Sequence, residues 1–200
     1  MFVHDPTDSD PYVIPIGKQT LFPSHIFYTP CSGIWQSVWI ESAPSNHITA
    51  LHVQAGMDGL VNATVSSTGN SSVPVEIAVI ERASNKTVAT HNGVANTVCS
   101  FTVDSPSLWS PDSPTLYDLT VSMGADVVAS YTGFRTVSRG IVNGVERPLL
   151  NGNFIFIFGT LDQGFWPDGI YTPPNREAMV YDLQTLKSLG FNALRKHVSP

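Results

Sequence analysis

Apolar and polar residues alternate in short runs between residue 46 and about residue 137, and turn residues separate the runs. In a β-strand, successive side chains point to opposite faces, so each alternating run predicts a strand with one buried face. The dipeptide Asp58-Gly59 lies between two of these runs and is a typical hairpin turn. The seven predicted strands are residues 48–55, 60–66, 73–80, 87–90, 98–103, 117–123 and 127–131. This number of short strands predicts a complete immunoglobulin-like β-sandwich for residues 46–137.

The pattern changes after the predicted sandwich. Residues 154–158 form an unbroken apolar run, which predicts a strand buried on both faces. Residues 178–189 show helical periodicity, and residues 191–198 resume as an extended segment. The helix is predicted from one apolar stripe and from the glycine that follows it, namely Met179, Leu183, Leu186 and Gly190. Strand, helix and strand predict a βαβ unit whose first loop, 159–174, leaves the carboxyl end of its first strand.

The size of this last segment limits what it can be. A complete (β/α)₈ barrel takes roughly 250 residues, and its chemistry lies at the carboxyl ends of its strands. Residues 138–200 are too few for a whole barrel, so they are either the start of a truncated barrel or a different α/β unit. In both cases the chain is expected to be a piece of a longer protein.

The first segment, residues 1–45, contains one clear strand pattern over residues 32–41. In that strand Trp35 and Trp39 share a face, where they form a sugar-stacking platform or fill a core or an interface. About 45 residues rarely bury a stable core unaided, so this segment is expected to depend on other parts of the protein for its order.

Charge and hydropathy exclude some partners. Lys and Arg number 10 against 16 Asp and Glu, which gives a net charge of −6, and the longest basic cluster is Arg195-Lys196. Such a chain cannot neutralise many phosphates, so no nucleic-acid partner is expected. No apolar run approaches the roughly 20 residues of a membrane helix, so no membrane partner is expected either. Oligomeric state stays open.

Two further patterns bear on the compartment. Asn62, Asn70 and Asn85 each begin an Asn-X-Ser/Thr acceptor sequence for N-glycosylation, which favours an extracellular location. A chance excess in a segment rich in Ser, Thr and Asn is the alternative, and no signal peptide is recognised in this chain. Cys31 and Cys99 lie in different predicted domains and are expected to be free thiols rather than a disulfide.

Six strings in the chain carry a family resemblance. They are Ser32-Gly-Ile-Trp-Gln-Ser-Val-Trp-Ile-Glu41, Leu108-Trp-Ser-Pro-Asp-Ser-Pro-Thr-Leu-Tyr117, Gly133-Phe-Arg135, Asn143-Gly144, Leu150-Asn-Gly152 and Asn192-Ala-Leu-Arg195. In this order and spacing they resemble glycoside hydrolase family 2, which includes β-galactosidases, β-mannosidases and β-glucuronidases. The strings span nearly the whole chain.

This resemblance implies a mostly β architecture in three parts. Residues 1–45 would be the end of a jelly-roll sugar-binding domain, 46–137 the sandwich, and 138–200 the first βαβ unit of a TIM-barrel catalytic domain. It also implies a retaining O-glycosyl hydrolase acting on β-linked glycosides, without a cofactor. The two catalytic glutamates of such an enzyme are expected beyond residue 200, so the chain alone is expected to be inactive.

The loop after the first barrel strand offers the best candidates for substrate contact. Asp162, Gln163, Trp166 and Asp168 combine carboxylates, an amide and an aromatic face, which suit sugar hydroxyls and sugar C–H faces. A rigid surface loop braced by prolines is the alternative. Near the end of the second strand, the resemblance implies an active-site role for Arg195, whereas the departure to Arg195-Lys196-His197 leaves the role of His197 open.

Two other classes of function fit parts of the chain. A carbohydrate-binding module would bind sugar through the sandwich alone, and a structural immunoglobulin-like module would have no site at all. The ordered strings of the last third argue against both. The six histidines lack Cys or carboxylate companions at ligand spacing, so no metal site is expected.

Overall fold

The computed structural model describes residues 17–31, 33–34, 36–69 and 73–197. It is mostly β, and the chain packs into two compact units. One unit is Glu41–Phe156. The second unit contains the described residues of 1–40 together with those of 157–200. The boundaries 45/46 and 137/138 inferred from sequence stay predictions.

Unit Glu41–Phe156 contains a sandwich of two antiparallel sheets. One sheet has the order β1-β2-β5 and the other the order β4-β3-β6-β7. The strands are β1 (Ile48–Ala55), β2 (Leu60–Ser67), β3 (Pro74–Glu81), β4 (Lys86–Val94), β5 (Val98–Thr102), β6 (Tyr117–Met123) and β7 (Asp126–Thr132). All seven strands predicted from alternation are therefore present, and their ends differ from the prediction by a few residues at most.

The core lies between these two sheets, where the inward positions of β2, β3 and β6 are apolar. Val61, Ala63 and Val65 of β2 are fully buried and belong to the core with Val75, Ile77 and Val79 of β3. Other buried members come from β5, β6 and the segments after β4, β5 and β7, and they include Cys99, Tyr117, Leu119, Val121 and Phe134. The rings of Tyr117 and Phe134 meet edge to face at a centroid distance of 4.9 Å.

A further antiparallel sheet follows the sandwich and was not predicted. It consists of β8 (Val137–Val142), β9 (Val145–Leu150) and β10 (Asn153–Phe154), paired in the order β10-β9-β8. Asn143 and Gly144 both have positive φ, at 53° and 76°, as the two central residues of a type I′ hairpin turn require. Asn151 connects this sheet to the segment between β5 and β6, since its side-chain NH₂ group donates to the Trp109 carbonyl at 3.0 Å.

The second unit contains a parallel pair of strands with a helix between them. The elements are β11 (Gly159–Asp162), α1 (Arg176–Ser188) and β12 (Ala193–Lys196). The helix begins where the Asn175 side chain accepts from the Ala178 N–H at 2.8 Å, and Gly190, with φ of 89°, follows its end. The predicted βαβ order is thus present, although its membership of a barrel stays a proposal.

Two strands expected from the sequence are not present where they were expected. The apolar run 154–158 was expected to be the first buried strand, but only Phe154 is in a strand and Phe156 is 70% exposed. The first strand of the parallel pair is instead β11. Its four residues do not form an apolar run, and it is defined by its pairing with β12. The strand expected over 32–41 is also absent from its described residues, and Trp39 is 77% exposed.

The apolar stripe of the helix is not a buried face in this structure. Met179 is 40% exposed and Leu183 is 56% exposed, whereas Leu186 is half-buried.

Trp35, the second ring of the expected stacking platform, lies outside the described residues.

Candidate functional site at the carboxyl ends of the parallel strands

β11 and β12 end side by side because they run parallel and in register. Asp162 is the last residue of β11 and lies opposite Lys196, the last residue of β12. The Lys196 ammonium donates to Oδ2 of Asp162 at 2.7 Å, and the Gly164 N–H donates to Oδ1 at 2.8 Å. Both carboxylate oxygens of Asp162 therefore accept hydrogen bonds from the protein itself.

The surroundings of Asp162 also fix its charge. Partial burial acts to raise the pKa of this carboxyl, but the hydrogen bond from Lys196, the Gly164 N–H and the Lys196 charge outweigh it. The pKa of Asp162 therefore lies below its usual value, and the group is an anion at neutral pH. About half of the Lys196 side chain remains exposed, so the pair is only moderately shielded from water.

Arg195 lies on the other face of this two-stranded sheet. It pairs with Leu161, and side chains alternate between the faces along a strand, so Arg195 points away from Asp162 and Lys196. Asp162 and Arg195 therefore lie on opposite faces of this pair of strands. Arg195 instead lines a cleft of about 370 Å³ together with Leu161 and Ala193.

His197 extends the pairing of the two strands by one residue. Its N–H donates to the Asp162 carbonyl at 2.9 Å. Its Nδ1 atom is buried and has no hydrogen-bond partner among the described residues. An unpaired buried polar atom costs free energy, so Nδ1 is a candidate to bind a ligand or a water molecule.

Gln163 is the first residue after β11 and is held by a residue far away in the sequence. The Tyr28 hydroxyl donates to Oε1 of Gln163 at 2.7 Å. The Tyr28 ring stacks on Phe165 at a centroid distance of 3.7 Å, and Phe165 in turn contacts the Tyr171 ring at 4.7 Å. Sequence analysis missed Tyr28 and Phe165 as parts of this site, because no local pattern links residues this far apart.

The remaining two candidates, Trp166 and Asp168, lie in a tight turn. The Trp166 N–H donates to the Ile170 carbonyl at 2.7 Å, and the Ile170 N–H returns a bond at 3.1 Å. Asp168 is exposed at this turn, and Trp166 is half-buried. A Cβ on Gly169 would lie 2.1 Å from the Thr172 carbonyl oxygen, so the turn requires glycine there.

Tyr171 and Cys31 are connected through Gln19. Gln19 bridges them, since its Nε2 donates to the Tyr171 hydroxyl at 3.2 Å and its Oε1 accepts from the Cys31 N–H at 2.9 Å. Burial raises the pKa of the Cys31 thiol, and burial together with Cys31 raises the pKa of Tyr171. Both groups are therefore neutral at pH 7.

The sandwich unit carries a separate groove of about 1040 Å³. The Arg135 guanidinium lies 4.5 Å from the centre of the Trp109 ring at this groove, a cation–π contact. The Arg135 N–H also donates to the Ala55 carbonyl at 3.1 Å.

Other expected features can be compared with the described residues. Cys31 and Cys99 are both free, as predicted. In the described ranges, His, Cys, Asp and Glu nowhere gather in groups of three that could hold a metal ion. The helix of the described part of the chain is neither long nor apolar enough to cross a membrane.

The comparisons with known proteins agree with the family resemblance that the six strings carry. The family described as glycosyl hydrolases family 2 matches residues 38–135, most of the sandwich unit. The resemblance to glycosyl hydrolases family 2 is confirmed. A β-galactosidase of Halalkalibacterium halodurans is 29% identical over 179 residues, which cover 82% of this chain and 17% of that protein. The chain thus corresponds to a small part of the length of this relative.

Solved structures of β-glucuronidases are similar to this chain as well. The β-glucuronidase of Faecalibacterium prausnitzii matches with a TM-score of 0.66 and 25% identity, covering 76% of this chain and 24% of that one. The β-glucuronidase of Ruminococcus gnavus matches with a TM-score of 0.65 and 21% identity over 76% of this chain and 25% of that one. At that lower identity the likeness to the second structure concerns the fold alone.

Proposed function

We propose that this chain is part of a retaining glycosidase that hydrolyses β-linked glycosides, with its sugar-contacting groups at the carboxyl ends of β11 and β12. The observation that carries the proposal is the grouping of Asp162, Gln163 and His197 at that edge, beside the Phe165 ring. Amide donors and aromatic rings are the groups that bind sugar hydroxyls and sugar C–H faces. Similarity to proteins named β-galactosidase and β-glucuronidase supports a β-glycoside as substrate.

We also propose that the sandwich unit has a scaffolding rather than a catalytic role. Its described buried residues are apolar, and no charged side chain is buried in it. Such a unit supplies rigidity rather than acid–base chemistry, because general acids and bases are titratable side chains near the substrate.

Hydrolysis by the full-length gene product tests the proposal. We expect turnover of 4-nitrophenyl β-D-galactoside, β-D-mannoside or β-D-glucuronide, and none of the matching α-anomers. Gln163→Ala is expected to lower kcat/KM about tenfold, as removal of a substrate hydrogen bond does. Absence of turnover with all three β-glycosides, or equal turnover of an α-anomer, would refute the proposal.

The 200-residue chain alone is expected to hydrolyse none of these substrates. A retaining glycosidase needs two carboxyl groups about 5 to 5.5 Å apart across the scissile bond. Among the described carboxylates near the strand ends, Asp162 is held by Lys196 and Gly164, and Asp168 lies exposed in a turn. Turnover by the purified chain that is abolished by Asp162→Asn or Asp168→Asn would contradict this prediction.

A second candidate function is sugar binding by the sandwich itself, which the groove beside Trp109 and Arg135 favours. Its test is an NMR titration of the chain with galactose and glucuronic acid. Saturable shifts that Trp109→Ala abolishes would support this function, and unchanged spectra would exclude it for those two sugars.

A further inference from the structure

The carboxamide of Gln163 is held by Tyr28, 135 residues earlier in the chain. We propose that Tyr28 is a positioning residue, which fixes the Gln163 amide so that its Nε2 donates to the sugar hydroxyls of the substrate. This inference rests on the function proposed above and adds a role for the segment 17–31.

The amide chemistry is the first step of the argument. A glutamine side chain has one carbonyl oxygen that accepts and one NH₂ group that donates twice. Because the Tyr28 hydroxyl donates to Oε1, it determines which end of the amide faces Tyr28 and which end faces away. Nε2 of Gln163 has no partner among the described residues, so its two N–H groups are available to acceptors such as hydroxyl oxygens.

The position of Gln163 is the second step. It directly follows Asp162, the last residue of β11, at the edge where parallel α/β sheets bind their ligands. Asp162 itself is braced by Lys196 and Gly164, so the backbone from which Gln163 extends is fixed on one side.

The Tyr28 ring is fixed as well, and this is what makes it suitable as a positioning group. It stacks on Phe165 with an interplanar angle of 10°. Its backbone is tied back on the same segment, because the Tyr28 N–H donates to the Lys18 carbonyl at 2.7 Å and its carbonyl accepts from Thr20 at 3.2 Å. A hydroxyl on a ring held in this way has little freedom, so its hydrogen bond orients Gln163 at a low entropic cost.

Kinetics of the full-length gene product test the proposal. Tyr28→Phe keeps the ring and removes only the hydroxyl, and Tyr181→Phe is the matched control, since Tyr181 is an exposed tyrosine of the same unit. We expect Tyr28→Phe to lower kcat/KM for the best 4-nitrophenyl β-glycoside about threefold to tenfold, the effect of one neutral hydrogen bond. The control variant is expected to match the wild type.

A double-mutant cycle separates positioning from folding. If Tyr28 acts through Gln163, Tyr28→Phe should have no further effect in a Gln163→Ala background. An equal loss in both backgrounds, or wild-type kcat/KM in Tyr28→Phe, would overturn the proposal.

Hydrogen exchange without substrate gives an answer that does not depend on activity. Tyr28→Phe should speed exchange of the amides in residues 163–171, and Tyr181→Phe should not. Unchanged exchange in that loop would overturn the positioning role even if the enzyme is active. Absence of turnover in the wild type would instead refute only the proposed function.

Discussion

The packing of Gly93 against Cys99 offers a quantitative test of the sandwich. Gly93 belongs to β4 and Cys99 to β5, so the two residues meet across the two sheets. A Cβ on Gly93 would lie 2.3 Å from Sγ of Cys99 and 3.5 Å from its Cβ. Ordinary contacts between heavy atoms are about 3.5 to 4.0 Å, so only the contact with sulfur is a clash.

The expected magnitude follows from two opposing effects. Gly93 does not have a positive φ, so alanine in this strand would by itself stabilise the protein by about 0.5 to 1 kcal/mol. Overpacking a buried contact costs about 1 to 3 kcal/mol, and Cys99 is only 3% exposed. We therefore expect Gly93→Ala to lower the free energy of unfolding by about 1 to 2 kcal/mol.

The double variant separates the clash from other causes. Cys99→Ala alone should cost roughly 1 kcal/mol through lost burial, and it removes the sulfur that Gly93→Ala would meet. Gly93→Ala with Cys99→Ala should therefore be about 0.5 to 1 kcal/mol more stable than Cys99→Ala alone, a coupling of about 1.5 to 3 kcal/mol. Asn92→Ala, at an exposed position of the same strand, is the control and should change stability by less than about 0.5 kcal/mol.

Urea unfolding followed by circular dichroism measures these values, and hydrogen exchange in β3 shows that the sandwich is the unit affected. The reasoning would be refuted if Gly93→Ala equalled or exceeded the wild type in stability. It would also be refuted if the costs of the two single variants simply added in the double variant.

Two further predictions concern the surface. The pKa of Asp162 is lowered in the folded chain, so its pairing with Lys196 stabilises the β11–β12 edge above about pH 4 and is lost as pH falls through the lowered value. Hydrogen exchange at His197 should show this acid-dependent loss in the wild type but not in Lys196→Met, and identical profiles would contradict it. In a secretory host, Asn85 should carry a glycan because it is exposed at the β3–β4 turn, whereas Asn62 lies half-buried in β2. A mobility shift after glycosidase treatment that persists in Asn85→Gln would contradict this preference.

The sandwich could be predicted from sequence because its signal is local. Most positions of β1 to β7 alternate between a less exposed and a more exposed face, and this alternation locates the strands. The strand β11 could not be located in this way, because Gly159–Asp162 has no apolar run and pairs only through its parallel neighbour. The first parallel strand was therefore predicted at the apolar run 154–158, which is not the segment that forms it.

The candidate site was predicted in part for a related reason. Its position after the first parallel strand follows from the order of elements, and Asp162, Gln163 and His197 do meet there. The contacts of Tyr28 with Gln163 and Phe165 could not be predicted, since they join segments more than a hundred residues apart without a periodic pattern. Arg195 points to the opposite face from Asp162 because of the register in which the two strands pair. Predicted strand boundaries that are wrong by a few residues do not give this register.

Residue type alone favours Asp162 as the substrate ligand of this edge. The hydrogen bonds that Asp162 already accepts favour Gln163 instead. A carboxylate whose oxygens already accept from Lys196 and Gly164 loses those bonds if it turns to a sugar hydroxyl. The Nε2 donors of Gln163 carry no such cost, because Tyr28 occupies only the carbonyl end of the amide. In the enzyme proposed above, Asp162 is therefore the residue that fixes the strand ends, and Gln163 is the group proposed to contact the substrate.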